Sequence, residues 1–267
     1  VKLKKGVVAL GGANNSNYIF SIPDDITVTP NSEGFATFTG IEIYEGNLLK
    51  KTFKVDDSQP DQKYILPNSN IDTSTIRVSV IGTAREEYSP YENIFNVESD
   101  TRLYLVQEIS DEKYQILFGD NILGKKPESG STIEVTYIET NGAAANGAAN
   151  FTFSGQLTYF LNESEVNVTN NISSVTTLQA ASSGDDIESI DTIKYLAPRV
   201  YASQYRAVTA NDYTSLIPFL YPNVESVSAY GGEELDPPQY GKVFITIKPK
   251  NGDFLSDVAK NTIRSKL

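Results

Sequence analysis

The chain has 267 residues, 34 acidic and 22 basic side chains for a net charge of -12, and no cysteine, histidine, methionine or tryptophan. Without thiols there is no disulfide, thiol nucleophile or zinc–thiolate site, and without imidazole there is no Ser-His-Asp triad and none of the commonest metal ligand. A surface this acidic repels phosphate backbones, and no apolar run approaches the ~18 residues that span a bilayer, so neither nucleic acid nor membrane is an expected partner.

The length suits two or three domains. The opening VKLKKGVVALGG is too short and too glycine-broken for a signal peptide core and reads as a strand or an arm. The missing methionine, even at position 1, and the lack of a capping signal at Leu267 lead us to expect a fragment whose natural chain continues at both ends. Apolar alternation recurs at 36–46 (ATFTGIEIYEG), 75–82 (TIRVSVIG) and 101–109 (TRLYLVQEI), with turn clusters at 56–61 and 67–70. This predicts mostly β structure to about residue 175.

YQILF at 114–118 and STIEVTYIET at 131–140 alternate as two further strands. Between them Gly119, Asp120, Asn121, Gly124, Pro127 and Gly130 form a dense run of turn formers. The run lacks the GK[ST] ending and following helix of a phosphate loop, and the spaced oxygen ligands of an EF-hand. It reads as a structural turn, with Gly119 and Gly124 supplying left-handed backbone and Pro127 rigidity. NGAAANGAAN at 141–150 reads either as a flexible linker or as a segment of close backbone approach. Three N-x-[ST] matches at 162–174 read as chance in an asparagine-rich stretch.

After about 180 the period becomes helical. A helix is predicted from a capping start at 183–188, with Ile187, Ile190, Ile193 and Leu196 on one face and Pro198 as its stop. A second helix is predicted from Thr209 as N-cap with Asp212 three residues on, apolar at Tyr213, Leu216 and Ile217, and ending at Pro218. Strands at 223–229 and 242–249 and a last helix capped by Ser256 complete the chain. Of the acidic clusters, Asp185, Asp186, Glu188 and Asp191 read as helix-start charges. Glu233, Glu234 and Asp236 read as a solvated loop, and no pair has a spacing that argues for glycosidase chemistry. Arg206 is a candidate buried anchor for carbonyls or a carboxylate.

Three segments together resemble a known family. The FGDN-x-x-G-x-x-P-x-x-G block at 118–130 resembles the FGDG block of the J-like baseplate proteins of contractile phage tails. Ala197-Pro198-Arg199 after the first helix, the run Arg206-Ala207-Val208-Thr209-Ala210-Asn211-Asp212-Tyr213, and Tyr221-Pro222-Asn223-Val224 resemble the later motifs of that family, in the same order. Asn121 stands where the family often has glycine, and asparagine also tolerates left-handed backbone. The texture of the first half looks most like the baseplate wedge subunits of T-even-like phages.

The expected fold is α+β and predominantly β: a β-sandwich or meander region followed by a smaller α+β domain. The expected divisions are an N-terminal arm and strands (1–40), a β-rich insertion (41–113), a β region with the glycine turn (114–180) and the α+β domain (181–267). The resemblance implies a structural subunit of the tail baseplate, with no catalytic residues, cofactor or metal. It implies a ring around the tail tube, rearrangement that triggers sheath contraction, and assembly in the host cytoplasm into the virion. The implied partners are other wedge proteins and the chain itself as a homodimer, with Tyr195, Tyr201 and Tyr205 as candidate interface residues. The alternative is a receptor- or polysaccharide-binding tail protein, which would need a cleft with paired carboxylates or exposed aromatics. A secreted adhesin would need a signal peptide or repeats.

Overall fold

The computed structural model describes every residue except 60–61, 92–96, 163, 170–174, 186, 222–223, 251–253 and 256. In chain order the strands of the first part are β1 (Lys2–Leu3), β2 (Gly6–Ala13), β3 (Ser16–Ile22), β4 (Ile26–Thr27), β5 (Tyr44–Glu45), β6 (Asn47–Lys54), β7 (Tyr64–Ile65) and β8 (Ile71–Ile81). They continue as β9 (Arg85–Pro90), β10 (Leu103–Ile109), β11 (Lys113–Phe118), β12 (Thr132–Glu139), β13 (Ala149–Phe153), β14 (Leu157–Leu161) and β15 (Ser164–Asn167). There follow α1 (Ile190–Ser203), α2 (Ala210–Leu220), β16 (Val224–Gly231), β17 (Val243–Pro249) and α3 (Asp257–Lys266). The chain is thus mostly β, with a sheet-rich region followed by a small helix-containing part. It divides into two compact units, Val1–Asn141 with Gly147–Ala180, and Gly142–Asn146 with Ala181–Leu267.

In the larger unit, seven strands pair in the order β6-β12-β8-β9-β10-β11-β7, beside four-stranded sheets ordered β15-β14-β1-β4 and β13-β2-β3-β5. Alternation places Ile133, Val135 and Tyr137 of β12 on the same buried side as Val78 and Val80 of β8, directly across the ladder. Tyr104 of β10, Ile116 of β11 and Leu66 just after β7 join the same core. Strands that far apart in the ladder share one core only if the sheet curls over it. Its two edge strands then approach: the rings of Phe53 in β6 and Tyr64 in β7 lie 5.6 Å apart, edge to face. The Gln62 amide closes the same seam by donating to the Lys54 carbonyl at 2.6 Å.

Gly46, between β5 and β6, joins two sheets. Its N–H donates to the Ile19 carbonyl at 2.8 Å, and its own carbonyl accepts from the buried Ser21 hydroxyl at 2.7 Å. Its φ is +121°, and a Cβ there would sit 2.0 Å from the Glu139 carbonyl oxygen.

In the smaller unit, Ile217 of α2, Val224 of β16 and Ile263 of α3 form a core with Tyr213, Tyr221, Val227, Ile245 and Ile247 around it. β16 and β17 make an antiparallel ribbon. Both helix stops expected at proline are corrected: Pro198 lies inside α1 and Pro218 inside α2. Each proline removes one N–H, and the helix continues because the bonds on either side remain; Tyr221 N–H still reaches the Ile217 carbonyl at 2.9 Å. The start of α1 also moves, from 183–188 to Ser189, whose hydroxyl accepts from Thr192 N–H. Of the expected strand at 36–46 only Tyr44–Glu45 pairs. Residues 142–150 take a packed form: a 3-10 turn at Gly142–Ala145, then Asn146, whose side chain exchanges two hydrogen bonds with the Gly184 backbone at 2.7 and 3.0 Å. The Ser256 cap, Pro222 and Asn223 lie outside the described residues.

Gly46→Ala is expected to cost about 3 kcal/mol in denaturant unfolding, from clash and left-handed strain together. Gly12→Ala, where the nearest atom would be 3.7 Å away, should change stability little. The Tyr88 hydroxyl is buried without a hydrogen-bond partner among the described residues, and burial pushes its pKa up to about 12. Tyr88→Phe is therefore expected to raise stability by up to about 1 kcal/mol, read as a higher Tm.

Candidate interaction surface

β11 and β12 do not pair with each other: β11 lies between β10 and β7, and β12 between β6 and β8. The 119–131 segment is thus a crossover within the curled sheet, and it needs more bracing than a tight hairpin. Asp120 supplies part of it, one carboxylate oxygen accepting from Ile122 and Leu123 N–H at 2.9 Å each. Those backbone donors hold its carboxyl below the usual range. Asn121 is left-handed (φ 67°), with its N–H on the Gly124 carbonyl at 2.9 Å and its side-chain oxygen accepting from Lys126 N–H at 2.8 Å. The loop is also tied to the segment before β10, with Gly124 N–H on the Glu98 carbonyl at 3.0 Å and Lys125 N–H on the Thr101 carbonyl at 2.7 Å. Pro127 is buried, and Gly130 is left-handed at φ 84°.

The two glycines expected to share one role have different ones. Gly124 is left-handed at φ 86°. Gly119 lies outside that region; its constraint is space, since a Cβ would stand 2.2 Å from the Gly124 backbone carbonyl. Charge pairs that the sequence did not indicate complete the brace: Lys125 Nζ is 2.7 Å from Glu86, which also takes Arg102 at 2.9 Å, and Lys126 is 3.1 Å from Asp57. Glu86 is held below the usual glutamate range, first by the Lys125 hydrogen bond and then by Arg102, with burial opposing.

In the smaller unit, Thr209 and Asp212 form a reciprocal capping box: Thr209 Oγ1 accepts from Asp212 N–H at 3.3 Å, and Asp212 accepts from Thr209 N–H at 2.8 Å. These bonds, from the Thr209 backbone first, depress the Asp212 pKa. Arg206 is exposed and reaches Gln204 Oε1 at 2.8 Å, so it is a surface residue and not a buried anchor. Ala197 and Pro198 are exposed on α1, Ala207 is half-buried, Val208 is exposed, and Tyr213 packs against the local core. Gln204 and Tyr205 are both left-handed and turn the chain between α1 and α2 without a glycine to mark the site.

Tyr195, Tyr201 and Tyr205 are exposed by 60%, 84% and 70%. Arg199 lies over the Tyr195 ring at 3.7 Å, and Tyr205 meets Phe219 at 5.9 Å. On α1 only Val200 and Ser203 are buried, so Ile190, Ile193, Ala197 and Tyr201, at spacings of three and four, form an exposed stripe.

The acids do not converge. Asp185 pairs with Lys250, Asp186 lies outside the described residues, and no group of three or more acids among the described residues is arranged to hold a metal ion. An open cleft of about 360 Å³ between β2 and β6 contains one carboxylate, Glu134, already engaged by Arg85 at 2.7 Å and Lys50 at 3.3 Å. It does not supply a carboxylate pair.

Gly119→Ala and Gly124→Ala should each destabilise by roughly 1–3 kcal/mol, the first through overlap and the second through left-handed strain. The Glu86 pairs stabilise fully above the ordinary glutamate pKa, and that contribution is lost as pH falls through the lower folded value. Glu86→Gln should therefore flatten the acid-side fall in Tm; an unchanged slope would show that these pairs contribute nothing.

The chain is 27% identical over 246 residues to baseplate wedge protein gp6 of Enterobacteria phage T4, covering 86% of this chain and 36% of that relative. The chain thus spans about a third of the relative's length. Residues 209–267, from the Thr209 cap through α3, match the family of baseplate structural protein gp6, C-terminal domain I. The resemblance to baseplate wedge proteins is therefore shown, over most of the chain by one comparison and over its last helices and ribbon by the other.

Proposed function

We infer that this chain is part of a structural subunit of a phage tail baseplate wedge, located in the virion and acting through its interfaces, without catalysis. The similarity to gp6 supports a structural baseplate role. In this reading the subunits are assembled in the host cytoplasm, join other wedge proteins into a ring around the tail tube, and hold together while the baseplate rearranges and the sheath is triggered to contract. Such work needs rigid bodies and contacts that pivot.

The observation that carries the reading is the bare stripe of α1. Ile190 and Ile193 are 70% and 44% exposed on a helix that buries only Val200 and Ser203. An apolar stripe left in water by its own fold is suited to a partner, and tyrosine beside it adds apolar area with a polar tip. A second copy of the chain would meet it isologously, the same patch used twice.

The purified chain is expected to be a dimer in light scattering. Ile193→Asp with Tyr201→Glu should give a folded monomer with unchanged circular dichroism. Wild-type chain that stays monomeric at millimolar concentration, or a dimer indifferent to these changes, would contradict the self-association.

A further inference from the structure

Ile122 and Leu123 form the tip of the crossover loop and are 75% and 54% exposed. Exposed aliphatic residues on a loose loop would need no explanation. Here the backbone beneath them is fixed by Asp120 and Asn121, and from the side by the carbonyls of Glu98 and Thr101. The ordering that usually opposes binding by a loop has already been met in the folded chain.

The charge around the tip is one-sided. Lys125 and Arg102 share the carboxylate of Glu86, and Lys126 pairs with Asp57. Glu98 and Asp100, on the segment whose carbonyls hold the loop, are exposed and in no ion pair among the described residues. The segment tied to the loop thus gives the aliphatic pair an anionic collar on that side.

We propose that Ile122 and Leu123 are a preformed plug that inserts into an apolar socket rimmed by lysine or arginine on a different protein of the assembly. This rests on the baseplate reading above and names a partner chemistry for it. The apolar pair provides the desolvated centre of the contact, and the anionic collar selects a basic rim. A second copy of this chain is a poor occupant at this loop, because an isologous contact here would set Glu98 and Asp100 against their own copies. The loop is anchored on the curled sheet, so the plug is held by a rigid scaffold.

The test places a photo-crosslinking benzophenone amino acid at position 122 of the full natural chain during infection, irradiates purified tails, and identifies the linked peptides by mass spectrometry. The expected result is linkage to one other protein, at an apolar stretch flanked by basic residues. Ile122→Asp with Leu123→Asp should leave the Tm of the chain unchanged and lower its incorporation into tails about tenfold, as loss of a central contact would; Ile122→Leu should retain incorporation. Linkage to a second copy, linkage to an acidic surface, no linkage, or full incorporation of the double variant would overturn the plug while leaving the baseplate reading intact. Absence of the wild-type chain from purified tails would overturn both.

Discussion

Seven strands bury their inward side chains in a single core, and the rest of the larger unit depends on that shared burial. A flat sheet cannot bring Tyr104 and Ile116 at one end of the ladder against Ile133 and Val78 at the other, so the sheet curls and its edges must be accounted for. Phe53 and Tyr64 close one seam. Gly46 lets a neighbouring sheet approach where any side chain would strike the Glu139 carbonyl. The strand order keeps β11 from pairing with β12, and this explains the glycine-rich motif: a crossover has to be shaped, braced and tied down, whereas a two-residue hairpin would not.

The charges follow the same logic. Glu86 on β9 holds both Lys125 of the crossover and Arg102 before β10, and Glu134 on β12 holds Lys50 of the adjacent β6 and Arg85 of β9, which lies beyond β8 on the other side. Ion pairs near a surface add little stability each. Their value lies in register, since each carboxylate spans two segments that must stay aligned. In the smaller unit the opposite holds: α1 is anchored by little more than Val200 and Ser203, and most of its apolar surface is uncovered. A rigid curled sheet and a helix with a bare stripe are the two kinds of part that an assembly protein needs.

Much of this was legible in the sequence, for identifiable reasons. Alternation at 75–82, 101–109, 114–118 and 131–140 corresponds to β8, β10, β11 and β12, because one buried face per strand leaves a period of two. Thr209 and Asp212 were readable as a cap because both partners of the box lie within four residues. What failed was non-local. Alternation at 36–43 found no partner strand, and alternation describes a face without guaranteeing a neighbour. Neighbouring strands in sequence suggest pairing, and β11 and β12 break that tendency. A proline in sequence signals a helix stop, yet α1 and α2 accommodate Pro198 and Pro218 because sound bonds remain on both sides. Gly46 is one of 18 glycines, and only the Glu139 carbonyl across the sheet distinguishes it. The exposure of Ile122 and Leu123 likewise emerged only once the crossover was in place.

In the proposed baseplate role, each unit presents an uncovered surface to its neighbours: the 122–123 loop of the larger and the α1 stripe of the smaller. Amide hydrogen exchange, compared between the purified chain and the same chain in intact tails, tests it most directly. Added protection is expected only at the α1 stripe around 190–201 and the loop around 120–126, with the amides of β8, β10, β11 and β12 equally slow in both states. Unchanged exchange at both surfaces, or new protection spread through the core strands, would contradict it.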